Sequence, residues 1–151
     1  MNVKLRPTSE EDLDFVVSAE GDPDVAPFII RWPRSRHEAA LTDHSVVHRV
    51  VESPDGGRVG FAILVRGALG PSVEFLRLVV TERGLGYGRG AVKAAKQLAF
   101  DGLGCDRLWL DVFDDNERAR SLYASEGFKE VGTGDPVPGR RPLLVMEARR
   151  S

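Results

Sequence analysis

Between Thr81 and Ala91 the chain reads Thr-Glu-Arg83-Gly84-Leu85-Gly86-Tyr87-Gly88-Arg89-Gly90-Ala, a run in which glycine alternates with larger residues directly after the apolar stretch Val73–Val80. Residues without a Cβ let a backbone turn tightly, aim successive N–H groups into one concavity and admit a ligand oxygen at close range. The following stretch places Val92, Ala95 and Ala99 at helical spacing, and Gly102 and Gly104 end it. Strand, glycine turn and helix N-terminus in that order predict an anion cradle suited to phosphate, with Arg83 and Arg89 bracketing it. A plain tight turn would need only one or two of these glycines.

Composition limits the kind of anion. The 21 Lys and Arg against 23 Asp and Glu leave a net charge of −2, so no basic field argues for nucleic acid or an anionic membrane surface, and the anion site must be local. At 151 residues, 42% apolar and 29% charged, residues 1–151 read as one soluble domain large enough for a packed core. Cys105 is the single cysteine, which favours a reducing compartment. His37, His44 and His48 lie close in sequence without zinc spacing or an HExxH pattern, so they are read as solvated or core residues and no metal is expected. The amino terminus lacks a basic start followed by an apolar run, and no stretch approaches the ~20 apolar residues of a membrane span, so a cytoplasmic location is expected.

The rest of the chain reads as an α+β domain. Val3–Arg6 is a short strand, and Thr8 or Ser9 with Glu11 or Asp12 forms a capping box for a helix to about Glu20. Prolines break the next segment, where Ser35 and Glu38 offer a second capping box for a helix to about Leu41. His44–Glu52 and Val59–Arg66 flank Pro-Asp-Gly-Gly as a hairpin, and a Gly/Pro loop around Gly67–Pro71 precedes the strand Val73–Val80. Arg107–Val112 is a strand parallel to the latter through the helical crossover. Asn116 caps a helix to Glu126, and the strands Phe128–Thr133 and Leu143–Ala148 close the sheet. The last of these offers an exposed edge through which a homodimer would pair.

Other phosphate cradles fit less well. A Walker loop needs GxxxxGK[ST], and no Lys-Ser or Lys-Thr follows these glycines. Gly86-x-Gly88-x-x-Ala91 does satisfy GxGxx[GA], with Asp111 near where a ribose-binding acid belongs, so a small NAD(P)-binding oxidoreductase is an alternative. A dinucleotide fold, however, calls for a series of βαβ units where this chain has one.

The remaining pattern, Arg83-x-x-Gly86-x-Gly88, resembles the Arg/Gln-x-x-Gly-x-Gly/Ala turn of the GCN5-related N-acetyltransferase (GNAT) superfamily. Asn116-Glu-Arg-Ala119-Arg-Ser-Leu-Tyr123, trailed by Gly127-Phe128, resembles that family's second motif at the expected separation. The resemblance spans most of the chain and is strongest from Val73 to Gly132. It implies a GNAT fold, a mostly antiparallel twisted sheet with a central parallel βαβ unit and flanking helices. It also implies acetyl-CoA as co-substrate and a primary amine, on a small molecule or a protein, as acceptor. A catalytically silent acyl-CoA-binding sensor is the second alternative.

On this resemblance the N–H groups from Gly84 through Leu85, Gly86, Tyr87, Gly88 and Arg89 to Gly90 would hold the pyrophosphate, with charge from Arg83 and Arg89. Leu78, Val79 and Val80, at the end of a strand that splays from its parallel neighbour, would bond the pantetheine arm as an added strand does. Asn116 would cap its helix, with or without touching the arm. Tyr123 would protonate the departing sulfur, its phenol at about 10 being loosely matched to a thiol near 8.5. Glu74 and Asp111 are both candidates for the base, acting through water. Phe28, Ile29, Ile30 and Trp32 form an apolar-aromatic cluster that would wall the acceptor pocket, or else fill the core.

Overall fold

The structure, a computed structural model, describes residues 2–67 and 70–151. Its elements are β1 (Lys4–Pro7), a 3-10 turn (Glu10–Asp12) leading into α1 (Leu13–Glu20), α2 (Arg34–Ala40), β2 (Val46–Glu52), β3 (Arg58–Arg66) and β4 (Ser72–Val80). They continue with α3 (Tyr87–Gln97), extended by a π turn (Leu98–Gly102), then β5 (Arg107–Phe113), α4 (Glu117–Ser125), β6 (Lys129–Thr133) and β7 (Leu143–Arg149). The sheet runs β1-β2-β3-β4-β5-β7-β6, and among the described residues only the β4–β5 pair is parallel. The expected α+β architecture is therefore present, and the single parallel pair excludes a dinucleotide-binding fold.

β3 reads Arg-Val-Gly-Phe-Ala-Ile-Leu-Val-Arg and is buried from Val59 to Leu64, the mark of a strand covered on both faces. On one face, α3 presses Val92, Ala95 and the following Ala99 against Val73, Phe75, Leu108 and Leu110. Alanines on that stripe let the helix axis approach the strands closely. On the other face, Val16 and Ala19 of α1 meet Phe61, Ile63 and Val79. Burial of these side chains, at roughly 1.5–3 kcal/mol for each large one, holds both layers on the sheet.

Two irregularities shape the sheet around the glycine turn. Ile63 stands opposite Arg77 but Leu64 opposite Phe75, so Leu76 is an extra residue in β4 and the bulge turns Arg77 toward the α1–α2 face. Then β4 and β5 pair only at Ser72–Arg107, Val73–Leu108 and Glu74–Trp109. Beyond that point β4 stays with β3 as far as Val80, while β5 stays with β7 as far as Phe113, so the parallel strands splay into a wedge.

Several local expectations need correction. Ser9 and Asp12 form the predicted reciprocal cap, the Ser9 N–H donating to the Asp12 carboxylate at 2.9 Å. Ser35 forms none: α2 starts at Arg34 with Pro33 extended before it, because the fixed proline φ of −66° already sets the entry. The third helix begins at Tyr87, so Gly88 and Gly90 lie in its first turns, not in the loop. The strand expected over His44–Glu52 starts at Val46, so His48 lies on it as expected and His44 precedes it in an exposed turn. The edge strand is β6, not Leu143–Ala148, which lies between β5 and β6. The predicted Gly67–Pro71 loop falls partly outside the described residues, at 68–69.

Candidate active site

The wedge opens into a cleft of about 790 Å³. β4 lines it from Phe75 to Val80 and β5 with Asp111 and Val112; the glycine turn adds Arg83, Gly84, Gly86, Tyr87 and Gly88. Asn116, Leu122 and Tyr123 close it from α4, and Asp24, Val25, Phe28 and Ile29 from the segment between α1 and α2. The β4 edge beyond Glu74 has no strand partner on the cleft side among the described residues, so main-chain groups at Leu78, Val79 and Val80 border open space.

At the turn, Gly84 and Gly86 have φ of +77° and +79°, the left-handed region that only glycine enters without cost. That conformation reverses the chain within the turn and leaves no amide from Gly84 to Arg89 donating to a main-chain carbonyl of the described residues. Gly90 is the first committed amide, bonded to the Gly86 carbonyl at 3.1 Å, which removes it from the predicted cradle. A methyl group at Gly84 would meet nothing within 4 Å, so the space above this backbone is free for a ligand. These amides, at the positive end of α3, fit a phosphate.

The flanking arginines part company. Arg83 lines the cleft and donates to the Asp24 carbonyl at 3.1 Å. Arg89 turns away to Ser125 and Glu126, at 2.8 and 2.6 Å, tying α3 to the end of α4. Leu85 is half exposed and outside the cleft.

α4 positions two polar groups. The Asn116 side chain accepts from the Ala119 N–H at 3.3 Å as an N-cap while bordering the cleft. Two turns on, the Tyr123 ring meets Phe75 and Phe128 at centroid distances of 6.1 and 5.5 Å. Burial pushes its phenol up to about 12. Among the described residues no buried side-chain polar atom lacks a partner, and the Tyr123 hydroxyl has none there, so it opens into the cleft. With a pKa that high the group keeps its proton throughout the physiological range, above the loose match with a thiol expected from sequence. It acts best as a hydrogen-bond donor to charge developing nearby.

The two candidate bases are separated by the splay. Leu108, Leu110 and Val112 belong to the α3-side core, so Asp111 projects toward the α1–α2 side, where it lines the cleft. Desolvation and then the charge of Asp135 raise its pKa. Desolvation and the charge of Asp111 raise that of Glu74, which sits in the paired part of β4 opposite Trp109 and outside the cleft lining. Of the predicted acceptor cluster Phe28 and Ile29 reach the cleft. Ile30 is 49% exposed, and Trp32 packs among core residues under the Arg36 guanidinium at 4.2 Å. Asp24, Val25 and Arg77 are cleft residues that sequence reasoning missed. Arg77 left a signal, a lone cation in the otherwise apolar Phe-Leu-Arg-Leu-Val-Val.

A sheet wedge that exposes a strand edge, ends on uncommitted glycine amides and is closed by a helix bearing Tyr123 behind the Asn116 cap is the arrangement that the resemblance read from the sequence implies. The profile of the acetyltransferase (GNAT) domain matches residues 2–129. The chain belongs to the GNAT acetyltransferase family. An uncharacterised N-acetyltransferase of Mycobacterium tuberculosis is 40% identical over 80 residues, which are 52% of this chain and 51% of that protein. This chain thus spans about half the length of the mycobacterial relatives it matches. A spermidine N(1)-acetyltransferase of Escherichia coli is 29% identical over 140 residues, 87% of this chain and 75% of that one. In fold, a spermidine N-acetyltransferase from Vibrio cholerae, crystallised in complex with CoA and spermine, superposes with a TM-score of 0.84 at 21% identity. That match covers 98% of this chain and 95% of the other.

Proposed function

We propose that the chain transfers the acetyl group of acetyl-CoA directly to the primary amine of a small molecule, in a ternary complex and without an acyl-enzyme. The observation that carries this reading is the splay of β4 from β5 after Glu74 and Trp109, opening a cleft that joins the free glycine amides to Tyr123. Its volume of about 790 Å³ lies within the common range for small-molecule sites, ~300–1,000 Å³.

Acetyl-CoA supplies the acetyl group activated as a thioester. The amides of Gly84 to Arg89 receive phosphate oxygens, with Arg83 adding charge, and the free edge at Leu78–Val80 pairs with the amides of the arm. Asn116 holds the mouth of α4 in register with that edge. A Lys-type amine, with a pKa of ~10.4, arrives protonated at neutral pH and must shed a proton before it attacks. Asp111 takes that proton through water, its raised pKa making it a better base than an ordinary carboxylate. Glu74, opposite Trp109 and outside the cleft lining, is left out of this step. The amine nitrogen bonds to the thioester carbonyl carbon, the C–S bond breaks, and the Tyr123 hydroxyl hydrogen-bonds to the sulfur as the thiolate leaves.

The carboxylates of Asp24, Glu82, Asp111, Asp115 and Glu117 on the cleft wall outnumber the guanidinium groups of Arg77, Arg83 and Arg118. Arg83 stands 3.7 Å from Asp24, and the surplus negative charge favours a cationic acceptor. The substrate named for the Escherichia coli relative makes polyamines the first to test. A free, buried Cys105 fits a reducing compartment and supports the cytoplasm as the place of action. Self-association would use β6, whose five residues are all exposed.

Thermal shift with acetyl-CoA, CoA and NADPH, followed by thiol release across a panel of mono-, di- and polyamines, tests the reading. Stabilisation by both CoA compounds and release with at least one amine are expected. Stabilisation by NADPH alone overturns the assignment, and stabilisation by acetyl-CoA with no release from any amine leaves a binding module in place of an enzyme.

A further inference from the structure

Beneath the acceptor side of the cleft lies a set of ionisable side chains that the proposed chemistry does not use. Glu20 at the end of α1, His37 on α2, His48 on β2 and Arg77 on β4 are 1%, 0%, 4% and 8% exposed. They are bonded in series. Arg77 Nη1 donates to Glu20 Oε2, and Glu20 Oε1 stands 2.9 Å from His37 Nε2. His37 Nδ1 is 3.0 Å from His48 Nε2, and His48 Nδ1 is 2.8 Å from the Thr8 hydroxyl. One proton order satisfies every atom: Thr8 donates to His48, His48 to His37 and His37 to the ionised Glu20. A buried ion pair is weak evidence for stability, so the placement of this one calls for another role.

The role shows in what the pair holds. From Ile30 to Trp32 the backbone makes no main-chain hydrogen bond among the described residues; the bonds on either side are Ile29 N–H to Ala26 O and Arg36 N–H to Pro33 O. In their place Arg77 Nη2 donates to the Ile30 carbonyl at 2.5 Å, and the Trp32 N–H donates to Glu20 Oε1 at 3.3 Å. The Trp32 indole lies 5.1 Å from the His37 ring, centroid to centroid, which covers the same latch. Phe28 and Ile29, directly upstream, form the wall of the cleft.

We infer that Glu20 and Arg77 are positioning residues for the acceptor. They latch Ile30 and Trp32 to the β4 bulge and so fix the surface that Phe28 and Ile29 present to the amine. The acetyl-CoA half of the cleft, made of glycine amides and a strand edge ordered by β3, is built without them. This inference rests on the transferase reading, and the latch itself can be measured without it.

Two variants test it. Arg77→Lys keeps a cation for Glu20 but not the fork that reaches the Ile30 carbonyl as well. The double variant Glu20→Gln/Arg77→Met removes both charges together and leaves neither buried alone, so it keeps the test open if the single variant does not fold. In both, hydrogen exchange at the Trp32 amide, the one main-chain donor of the latch, rises about 10-fold or more while the Phe61–Ile63 ladder keeps its protection, as loosening a bond to a charged group implies. The KM for the amine rises by a similar factor, about 10-fold, while that for acetyl-CoA stays within about twofold. Faster exchange with an unchanged amine KM overturns the positioning role, and unchanged exchange overturns the latch. If the wild-type protein acetylates no amine, the transferase reading falls and takes the acceptor role with it, and exchange at Trp32 still decides the latch.

Discussion

On the α3 side of the cleft the proposed binding groups are main-chain amides, displayed because Gly84 and Gly86 take a left-handed backbone and because β4 loses its parallel neighbour after Glu74. On the α1–α2 side the wall is a proline-broken segment whose backbone, among the described residues, makes no main-chain hydrogen bond from Ile30 to Trp32 and is held by the buried Glu20 and Arg77. A wall made of backbone accepts most changes of side chain as long as the glycines stay. A wall hung on buried charge keeps its form only while both partners remain. The first suits a co-substrate that never varies, and the second lets the acceptor surface be reset by a few residues.

Tyr123→Phe gives the sharpest separation of chemistry from both walls. The ring keeps its contacts with Phe75 and Phe128, so fold and acetyl-CoA KM should hold, while kcat falls by about 10²-fold, the lower range for a lost proton donor. Steady-state thiol release measures it. An unchanged kcat removes the hydroxyl from the reaction and leaves Tyr123 as packing.

How much of each wall the sequence reveals depends on the same contrast. The glycine turn, the Asn116 cap and the seven-residue step to Tyr123 are local patterns whose geometry demands particular residues, and they are legible. Where α3 begins is not, because the spacing of Val92, Ala95 and Ala99 gives a helix its face but not its first residue. Arg89 reads as a phosphate ligand until Glu126, distant in sequence, is seen to hold it at 2.6 Å. The α1–α2 wall is the least legible part. Ile30 and Trp32 look alike as apolar loop residues, and only the bulge at Leu76, set by pairing with β3, decides that Arg77 lies beneath them. His37 and His48 are core residues, one of the two places the sequence allows them. Their bond to each other joins α2 to β2, and no local period encodes it.

Acid should loosen the side-chain wall before the backbone one. Desolvation, and then the charge of His37, lower His48 from 6.5 to about 4, with Glu20, Arg77 and Asp12 as its other charged neighbours. The folded state thus binds this proton less readily than the unfolded chain. The resulting stability is complete above 6.5 and is lost as pH falls from there toward 4. Between pH 7 and pH 5 the loss from this group is about 2 kcal/mol by linkage. Glu20, also held below its ordinary value against the burial that opposes it, adds its own loss at lower pH. Urea unfolding at both pH values checks this. His48→Gln should flatten the slope over that interval, and an equal slope in the variant would assign the effect to other groups.

The smallest effect distinguishes two glycines within the backbone wall. Gly86 caps α3 with φ of +79°, so Gly86→Ala forces a side chain into the left-handed region at a cost of about 1 kcal/mol and shifts the amides proposed to receive a phosphate. Gly88 lies within the helix, and a methyl there would meet Leu122 Cδ2 at 3.5 Å, an ordinary contact with the end of a flexible side chain. Gly88→Ala should therefore leave Tm unchanged or slightly raised, since alanine is the better helix former by about 1 kcal/mol, with acetyl-CoA affinity within about twofold. Calorimetric titration with acetyl-CoA alongside thermal melts reads both. If Gly88→Ala weakens binding as much as Gly86→Ala, the cradle depends on bare space in the first turn of α3 and not on the left-handed cap. The backbone wall would then be as sensitive to side chains as the wall opposite.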